Sequence, residues 1–290
     1  MFGQLIINGL AVGSLYALVA LAMVIIYKAS EVPNFAQGEM AMVSTYFAYM
    51  LLISNQVSWH VALLGTLVFA FALGMVLEFL FVRRAKDPTV LDLIIVTLGM
   101  QLVLHGLAGW KWGPDQKDFP LPISDTDVVQ VGGLVISYLN LTTMITALVL
   151  MGLLYAFFQY TKIGVAMKAT QQNWMAARIN GIRTNHILGI TWGISSVIGA
   201  IAGVLFAPTS TLDPHLMWDP LIKGFAAAVM GGMNSLVGAA LGGYLLGFIE
   251  NLFGLYISLE FKSIVAFLAI VLVLWFRPSG LFSKHYERRV

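Results

Sequence analysis

Residues 161–187 of this chain read TKIGVAMKATQQNWMAARINGIRTNHI and form the longest polar, basic interval between two strongly apolar segments. The interval contains four basic residues and no acidic residue. Its pattern predicts a short helix from Lys168 to Ile179, which ends at Asn180-Gly181 because glycine readily adopts the left-handed conformation that closes a helix. The interval therefore separates two membrane segments and contains a helix of its own.

The predicted helix has an apolar face, and this face has two interpretations. Met167, Trp174, Met175 and Ile179 could form the face together. It would either rest on lipid headgroups, as in an interfacial helix, or dock into a cytoplasmic partner protein. Periodicity alone slightly favours the lipid interpretation.

The composition is that of an integral membrane protein. Of the 290 residues, 59% are hydrophobic and 10% are charged, whereas soluble domains carry about 25% charged residues. The mean hydropathy is +0.86. The chain has no cysteine, which excludes disulfides, thiolate catalysis and cysteine-based metal sites. The first residues, MFGQLIINGL, contain no basic residue, so we expect a retained first span rather than a cleaved signal peptide.

Nine apolar segments, separated by prolines and glycines, predict an all-α polytopic membrane protein. Because about 20 apolar residues cross the hydrocarbon core, we expect about eight transmembrane helices plus one or two short or broken segments. Residues 1–290 would form a single transmembrane domain, with polar loops at 161–187 and 110–140. The segments are 5–27, 40–53, 61–82, 90–109, 141–160, 187–207, 221–230, 236–253 and 264–276.

Basic residues near the span ends indicate the orientation, because they concentrate on the cytoplasmic side. If 161–187 is cytoplasmic, alternate threading places the N-terminus outside and the C-terminus inside, provided that 221–230 crosses at least half of the membrane. The basic residues predicted inside are Lys28, Arg83, Arg84, Lys86, Lys162, Lys168, Arg178, Arg183, Arg277, Lys284, Arg288 and Arg289; those predicted outside are Lys111, Lys117, Lys223 and Lys262.

The threading also suggests an internal symmetry. Segments 5–109 and 187–276 both run long, break, short, long and long, and their first spans point in opposite directions, which is typical of an inverted repeat. The alternative is that any chain of nine segments can be divided in this way. Short, broken segments at matching positions are where transporters place their permeation path.

The break after the first span reads VPNFAQGE at 32–39. Asn34 can cap a helix predicted to restart at Phe35, and Glu39 would lie in its first turns, near the positive end of the helix dipole. The break is either a well-capped half-helix or a polar cluster that lines a path, since irregular backbone at membrane depth persists only beside protein or water. The candidate pathway residues are Asn34, Phe35, Gln37 and Glu39.

A second motif reads KGFAAAVMGGMNSLVGAALGGYLLG at 223–247. Small residues at a spacing of four let helix backbones approach closely. We therefore expect helix packing, rather than ligand binding, from a set of glycines. They are Gly199, Gly203, Gly231, Gly232, Gly238 and Gly242.

Ionisable residues inside the spans are few, and each is a functional hypothesis. Glu78 can reach Arg83 or Arg84, and Glu250 lies near the outer end of its span, so we expect both to anchor helix ends. His105 has no evident role. The sequence shows no metal-ligand spacing, no Ser/His/Asp grouping and no phosphate-binding loop. We therefore expect no enzymatic activity and no metal or cofactor on this chain.

Taken together, the motifs closely resemble those of the permease subunits of branched-chain amino-acid ABC importers, the LivH-like family. The matching pieces are NFAQGE at 34–39, Gly181-Ile182 after the predicted cytoplasmic helix, KGFAAAVMGG at 223–232 and RPSGLF at 277–282. They are distributed over nearly the whole chain.

The resemblance implies a permease subunit that translocates branched-chain amino acids, or a related small polar or organic solute, across a bacterial-type inner membrane. An extracytoplasmic solute-binding protein would deliver the solute, with 110–140 as a docking surface. The implied partners are a second permease chain, either a paralogue or a copy, and two cytoplasmic ATPase subunits that hold ATP and Mg²⁺. We expect contacts with membrane lipid and none with nucleic acid.

The cytoplasmic segment resembles the E-A-A-x-x-x-G loop of ABC permeases. Ala176, Ala177 and Gly181 match this pattern, whereas Met175 stands at the position of the glutamate. The resemblance implies that this segment moves as a lever when the ATPases close. The implied ATPase-coupling residues are Lys168, Gln172, Met175, Ala176, Ala177, Arg178 and Gly181.

An alternative from another functional class is a secondary transporter of a small solute, driven by an ion gradient. Such a transporter usually needs a buried carboxylate, a base or an unwound helix near the middle of the membrane. For this role the sequence offers only the 34–39 break and His105.

Overall fold

A computed structural model describes residues 2–85, 89–123, 127–131 and 133–282. Most of these residues are helical, which confirms the predicted all-α class. Of the basic residues used to predict the orientation, Lys86, Lys284, Arg288 and Arg289 lie outside the described residues.

The described residues form eleven helices and one two-stranded sheet. In order they are α1 (Phe2–Ser30), α2 (Gln37–Tyr49), α3 (Trp59–Leu77), α4 (Val90–Trp112), β1 (Val128–Val131), β2 (Leu134–Ser137), α5 (Tyr138–Tyr160), α6 (Lys162–Gln172), α7 (Trp174–Ile179), α8 (Thr184–Phe206), α9 (Trp218–Gly231), α10 (Leu236–Tyr256) and α11 (Ile264–Phe276). A π-helical turn extends α2 over Met50–Ser54 and another extends α3 over Glu78–Val82, and a 3₁₀ turn, Ala207–Thr209, follows α8.

Six of the described helices are long and apolar enough to cross a membrane: α1, α3, α4, α5, α8 and α10, with the turns that extend them. The shorter helices α2, α9 and α11 have 13, 14 and 13 residues. The predicted total of eight spans plus short segments thus corresponds, in the part of the chain that is described, to six full-length helices and to the short helices α2, α9 and α11 at the other three predicted segments.

Helix α1 is the centre of the bundle. In its most apolar window 89% of the residues are buried, against 17% for α4 and 22% for α5. It packs against α8, α9 and α10. The contact with α10 is close because glycines face it on both helices: a Cβ added to Gly247 would lie 2.6 Å from the Cα of Gly13, and one added to Gly243 would lie 2.6 Å from the Cα of Ala17.

The contacts between helices support the predicted inverted repeat. If α1–α4 are matched to α8–α11, the contacts of α1 with α9 and α10 correspond to those of α8 with α2 and α3. The contacts of α2 with α3 and α4 likewise correspond to those of α9 with α10 and α11. Helices α1 and α8 contact each other at the centre, which is where a pseudo-two-fold axis would pass.

The loops gather at two ends of the bundle. One end carries β1 and β2, and we call it the hairpin end. There the side chain of Gln4 hydrogen-bonds the backbone of Val135 in β2 (2.6 and 2.9 Å), and Lys117 pairs through its backbone with Leu212, between α8 and α9. At the opposite end, which we call the basic end, Lys28 lies over the ring of Phe158 near the end of α5. Helices α1 and α8 therefore run in opposite directions, as the inverted repeat requires.

The β-hairpin at the hairpin end was not predicted. Strands β1 and β2 pair antiparallel, with Val128 opposite Ser137 and Val131 opposite Leu134. A signal was present in the sequence, since β-branched residues flank Gly132-Gly133, as they do in many short hairpins.

The segment 161–187 differs from the prediction of one helix over Lys168–Ile179. It forms two helices, α6 and α7, because Asn173 adopts extended backbone angles (φ −157°, ψ 102°) and caps α7 by accepting a hydrogen bond from the N–H of Ala176 at 2.8 Å. The predicted end at Gly181 is confirmed by its φ of +82°.

The predicted apolar face of that helix is wrong as a single surface. Met167 belongs to α6 and is buried in the bundle, with 1% of its surface exposed. Trp174, Met175 and Ile179 belong to α7 and are 46%, 59% and 79% exposed. The break at Asn173 separates the two sets of side chains.

We predict that Gly247→Ala destabilises the protein, by about 1–3 kcal/mol, because the added methyl group overpacks the contact with the backbone of α1. Gly152→Ala is the matched control in α5, since nothing lies within 4 Å of a Cβ added there. Thermal unfolding of the two variants in detergent measures the difference. Equal melting temperatures would show that the α1–α10 contact accommodates the added methyl group without loss of stability.

Candidate functional site

The short helices α2 and α9 meet near the middle of the bundle, where the chain is irregular before each of them. A Cβ added to Gly38 would lie 3.2 Å from the side chain of Leu221 and 3.4 Å from the carbonyl oxygen of Met217. The rings of Phe35 and Phe225 lie 6.0 Å apart. The two breaks of the inverted repeat therefore adjoin each other.

The helix after the first break begins two residues later than predicted. Helix α2 starts at Gln37, whereas Asn34 forms a local turn in which its Oδ1 accepts a hydrogen bond from the N–H of Ala36 at 3.0 Å. The prediction that Asn34 caps a helix at Phe35 is therefore wrong. Glu39 does lie in the first turn of α2.

Gln37 joins three helices at the centre of the repeat. Its Nε2 donates to the carbonyl of Ser195 in α8 at 3.2 Å. The hydroxyl of Ser195 lies 2.9 Å from Gln37 Oε1 and 2.7 Å from the carbonyl of Ala22 in α1. Asn34 Nδ2 contacts Gln37 Oε1 at 3.4 Å. Asn34 and Gln37 are both buried. In this structure Gln37 joins α2 to α8, and Asn34 supports Gln37 from the preceding turn.

Glu39 instead belongs to a cluster with aromatic and histidine side chains, which we call the Glu39 cluster (Glu39, His105, His215 and Trp218). Glu39 is 1% exposed, and its Oε1 accepts a hydrogen bond from Trp218 Nε1 at 3.1 Å. His105 Nδ1 lies 3.8 Å from the same oxygen, which is beyond hydrogen-bonding distance. Within the described residues, Glu39 Oε2 and His105 Nδ1 make no hydrogen bond.

The rings of the Glu39 cluster form a continuous aromatic group. The ring centre of His215 lies 4.9 Å from that of His105 and 4.4 Å from that of Trp218, and the ring centres of His105 and Trp218 are 5.6 Å apart. His105 precedes the last residue of α4, Trp112, by seven positions, which corresponds to about 10 Å along a helix. The cluster therefore lies toward the hairpin end, about two turns from the end of α4, with Glu39 buried and with His215 and Trp218 exposed.

A second charged group lies one turn further along α9. Lys223 Nζ is 2.7 Å from Asp219 Oδ2 and 2.7 Å from Glu250 Oε1. The ammonium group also lies over the ring of Tyr16, 5.5 Å from its centre. Lys223 and Glu250 are buried, whereas the side chain of Asp219 is 55% exposed.

This arrangement corrects two sequence predictions. Lys223 was counted among the outside basic residues, near the first end of the segment 221–230, but α9 begins at Trp218, which places Lys223 more than one turn inside the helix. Glu250 was expected to anchor a helix end, but it faces α9 and is 1% exposed. A buried carboxylate is stable only when it is paired, and Lys223 supplies its partner.

The basic end holds the residues predicted to couple to a partner. Lys168 Nζ donates to Gln159 Oε1 at 2.9 Å, Ala177 is buried, and Arg178 stacks on Trp174. Ala176 is half-buried, and the other residues of the predicted coupling set are exposed: Gln172, Met175, Arg178 and Gly181.

The predicted contact of Glu78 is also found at this end. Arg83 donates two hydrogen bonds to Glu78, at 2.7 and 3.1 Å, and a third to the carbonyl of Asn185 at 2.8 Å. An open cavity of about 410 Å³ lies beside it, lined in part by Arg178 and Arg183. The end of α3, the start of α8 and the segment after α7 thus form one basic surface.

The packing glycines lie where their helices approach most closely. A Cβ added to Gly199 would collide with the side chain of Gln37, and one on Gly203 with the side chain of Thr45, so both lie against α2. Three more lie between α9 and α10: a Cβ on Gly231 would collide with the carbonyl of Gly238, and one on Gly238 with that of Gly231. A Cβ on Gly242 would likewise collide with the carbonyl of Ala227.

Gly232 ends α9 with a φ of +106°. Beside it the C-terminal motif returns to the helix: the N–H groups of Leu281 and Phe282 donate to the carbonyls of Met230 and Gly231 at 2.9 and 3.3 Å.

Comparison with known proteins gives the family. A family model described as the permease component of branched-chain amino acid transport systems matches residues 5–274. The chain belongs to this permease family. It is 30% identical to the LivH permease of the high-affinity branched-chain amino acid transport system of Salmonella typhimurium, over 100% of this chain and 98% of LivH. It is also 30% identical to BraD of Pseudomonas aeruginosa, over 99% and 97% of the two chains.

A more distant relative extends the range of systems. The permease LsrC of the autoinducer 2 import system of Yersinia pseudotuberculosis is 30% identical over 65% of this chain and 54% of LsrC. The resemblance predicted from the motifs is confirmed. In this permease, the NFAQGE motif opens α2, and KGFAAAVMGG lies in α9 and ends beside RPSGLF.

His215, Trp218 and Asp219 were not among the candidates chosen from the sequence. A signal existed in DPHLMWDP at 213–220, since this proline-containing stretch precedes KGFAAAVMGG as VPNFAQGE precedes the rest of α2. The inverted repeat makes these two breaks counterparts. Counterpart breaks in an inverted repeat meet at its centre, and this reasoning could have identified Trp218 as a partner of Glu39.

We predict that Trp218→Phe destabilises the protein by about 1–3 kcal/mol, because it removes the donor to a buried carboxylate. The destabilisation caused by Trp218→Phe should be smaller in a Glu39→Gln background, because no carboxylate charge is then left without a donor. Thermal unfolding of the two single variants and the double variant gives the coupling energy. Trp110→Phe is the control, since Trp110 is 84% exposed. Additive effects would mean that the Trp218–Glu39 bond contributes nothing.

Proposed function

We propose that this chain is a transmembrane permease subunit of an ATP-driven importer of branched-chain amino acids or a related small polar or organic solute. The observation that carries the proposal is the full-length similarity to the LivH and BraD permeases, together with the family match over residues 5–274. An extracytoplasmic binding protein delivers the solute, and the hairpin end, within 110–140, receives it.

The partners follow from the same similarity. A second permease chain, either a paralogue or a copy of this one, completes the pathway, and two cytoplasmic ATPase subunits hold ATP and Mg²⁺. Of the two interpretations of the segment 161–187, docking to an ATPase has the better support. Trp174, Met175 and Ile179 project from a helix of only six residues that is bounded by polar side chains.

Helix α8 is suited to carry movement from this surface to the pathway. It begins three residues after Gly181, and its centre is bonded to Gln37 and packed on α2 through Gly199 and Gly203. A closely packed helix moves as a rigid rod rather than bending locally. Displacement of α7 by the ATPases therefore shifts α2 relative to α9.

The charges support an orientation in the inner membrane with the N-terminus outside and the C-terminus in the cytoplasm. The basic end contains Arg83, Arg178 and Arg183, and basic residues concentrate on the cytoplasmic side. Acidic residues lie in the loops toward the other end; in the described part these are Asp115, Asp118, Asp127, Asp213 and Glu260.

A secondary transporter remains the second candidate because one observation favours it. Glu39 and His105 supply the buried carboxylate and base that such a transporter needs, 3.8 Å apart. The two functions differ in their energy source. Uptake into proteoliposomes that requires ATP supports the importer, whereas uptake that follows an ion gradient without ATP supports the alternative.

We predict that Met175→Asp and Ile179→Asp each reduce the amount of ATPase that co-purifies with the chain about ten-fold or more, as expected when an interface hot spot is lost. Both side chains are exposed, so the permease itself should stay folded. Ala177→Asp should also lower stability, because Ala177 is buried.

Asn55→Asp, an exposed site that follows the π-helical turn after α2, is the matched control and should leave the ATPase bound. Retention of the ATPase by both α7 variants would contradict docking through this surface. It would favour the interpretation of α7 as a helix resting on lipid.

A further inference from the structure

An exposed face at the start of α9 includes ionisable residues, which are unfavourable in hydrocarbon. It consists of His215, just before the helix, and of Trp218, Asp219 and Ile222, and we call it the Trp218 face. Asp219 is 55% exposed and Trp218 is 47% exposed. A carboxylate in contact with lipid tails is costly, so such a residue faces protein or a water-filled space.

The Trp218 face lies at membrane depth. Helix α9 has 14 residues, so it is about 21 Å long, shorter than the roughly 30 Å of a hydrocarbon core. Its last residues pair with Leu281 and Phe282 after α11. Because α9 ends toward the basic end, its first turn lies below the membrane boundary at the hairpin end.

The electrostatics of the Trp218 face favour a cation. Two carboxylates, those of Asp219 and Glu250, lie 2.7 Å from the ammonium group of Lys223, and a third, that of Glu39, is bonded to Trp218 at the start of the same helix. Glu39 Oε2 has no hydrogen bond within the described part of the chain, although the carboxylate is almost fully buried. The excess of negative charge acts across a medium of low dielectric constant, where it is weakly screened.

The indole of Trp218 is held in a suitable position for this role. Its Nε1–H donates to Glu39 at the inner edge of the ring, while nearly half of the side chain is exposed. Aromatic faces attract ammonium groups, and tryptophan does so most strongly. A hydrogen bond to a carboxylate fixes the ring and increases its electron density. Ile222, one turn along α9, offers an apolar contact beside it.

We propose that the Trp218 face lines the translocation pathway and binds the ammonium group of the solute. Trp218 and Asp219 contact this group, Glu39 acts as a positioning residue behind the indole, and Ile222 contacts a short aliphatic part of the solute. This inference rests on the proposed transport function and assigns solute recognition to named residues of the permease.

The test uses the absence of cysteine from the sequence, so that an introduced cysteine is the only thiol of the chain. Ile222→Cys is made in the full-length chain, assembled with its partner subunits in proteoliposomes. Its modification rates are measured with two membrane-impermeant methanethiosulfonates, one carrying a quaternary ammonium and the other a sulfonate. The ratio of the two rates is divided by that at Asn55→Cys, an exposed position outside the Trp218 face, which corrects for intrinsic reactivity.

We predict a normalised ratio of about five or more in favour of the cationic reagent, the effect of roughly one nearby negative charge. Asp219→Asn should bring the ratio close to one, Glu39→Gln should lower it, and leucine supplied during ATP turnover should slow both reactions. Leu102→Cys, 74% exposed on an apolar face of α4 within one turn of His105, should not react.

Two results would overturn the inference separately. If Ile222→Cys does not react, the Trp218 face is not open to water. If it reacts with a normalised ratio near one, the face is open but does not select cations. Wild-type uptake of leucine with and without ATP is measured in parallel. Leucine uptake that needs no ATP would refute the importer function, and the thiol reactions would still decide whether the Trp218 face is open to water and selects cations.

Discussion

The structure depends on the close approach of α1 to its neighbours. Water does not drive helices together inside a bilayer, so association relies on van der Waals contact and on the few polar bonds between helices. Glycines supply this contact between α1 and α10, and the bond of Ser195 to Ala22 and Gln37 supplies the polar part between α1, α8 and α2. Helix α1 is almost completely buried and packs directly against the short helix α9, while its neighbour α8 packs against the short helix α2.

Polar groups in the bundle are divided between two tasks. Gln37 bonds the neighbouring helix α8, and Asn34 is bonded within its own turn, so both hold a fixed arrangement. Glu39 and His105 retain atoms without partners in the described structure. An unsatisfied polar group in a low-dielectric interior is costly, so proteins keep such groups mainly where a ligand or a movement uses them.

The sequence was a good guide to helices whose apolar runs are long and whose ends carry clear signals, such as Gly181. It was a poor guide where a short helix depends on tertiary contacts. Helix α9 begins at Trp218, before residue 221, and Lys223 within it pairs with Glu250 on α10; no local pattern contains that pairing. The division of 161–187 at Asn173 was missed because asparagine can cap a helix but also occurs inside one. The Glu39 cluster joins residues 39, 105, 215 and 218, which only the folded chain brings together.

The matched contacts of α1–α4 and α8–α11 have a consequence for the transport cycle. Two halves that have a similar fold and inverted orientations in the membrane need not have the same conformation at the same time. If each half takes the shape that the other has now, the bundle keeps its interfaces while its opening moves to the opposite face of the membrane. The shape of each half thus indicates the shape of the other in the oppositely open state, and the cost of reaching that state is limited to the differences between the halves.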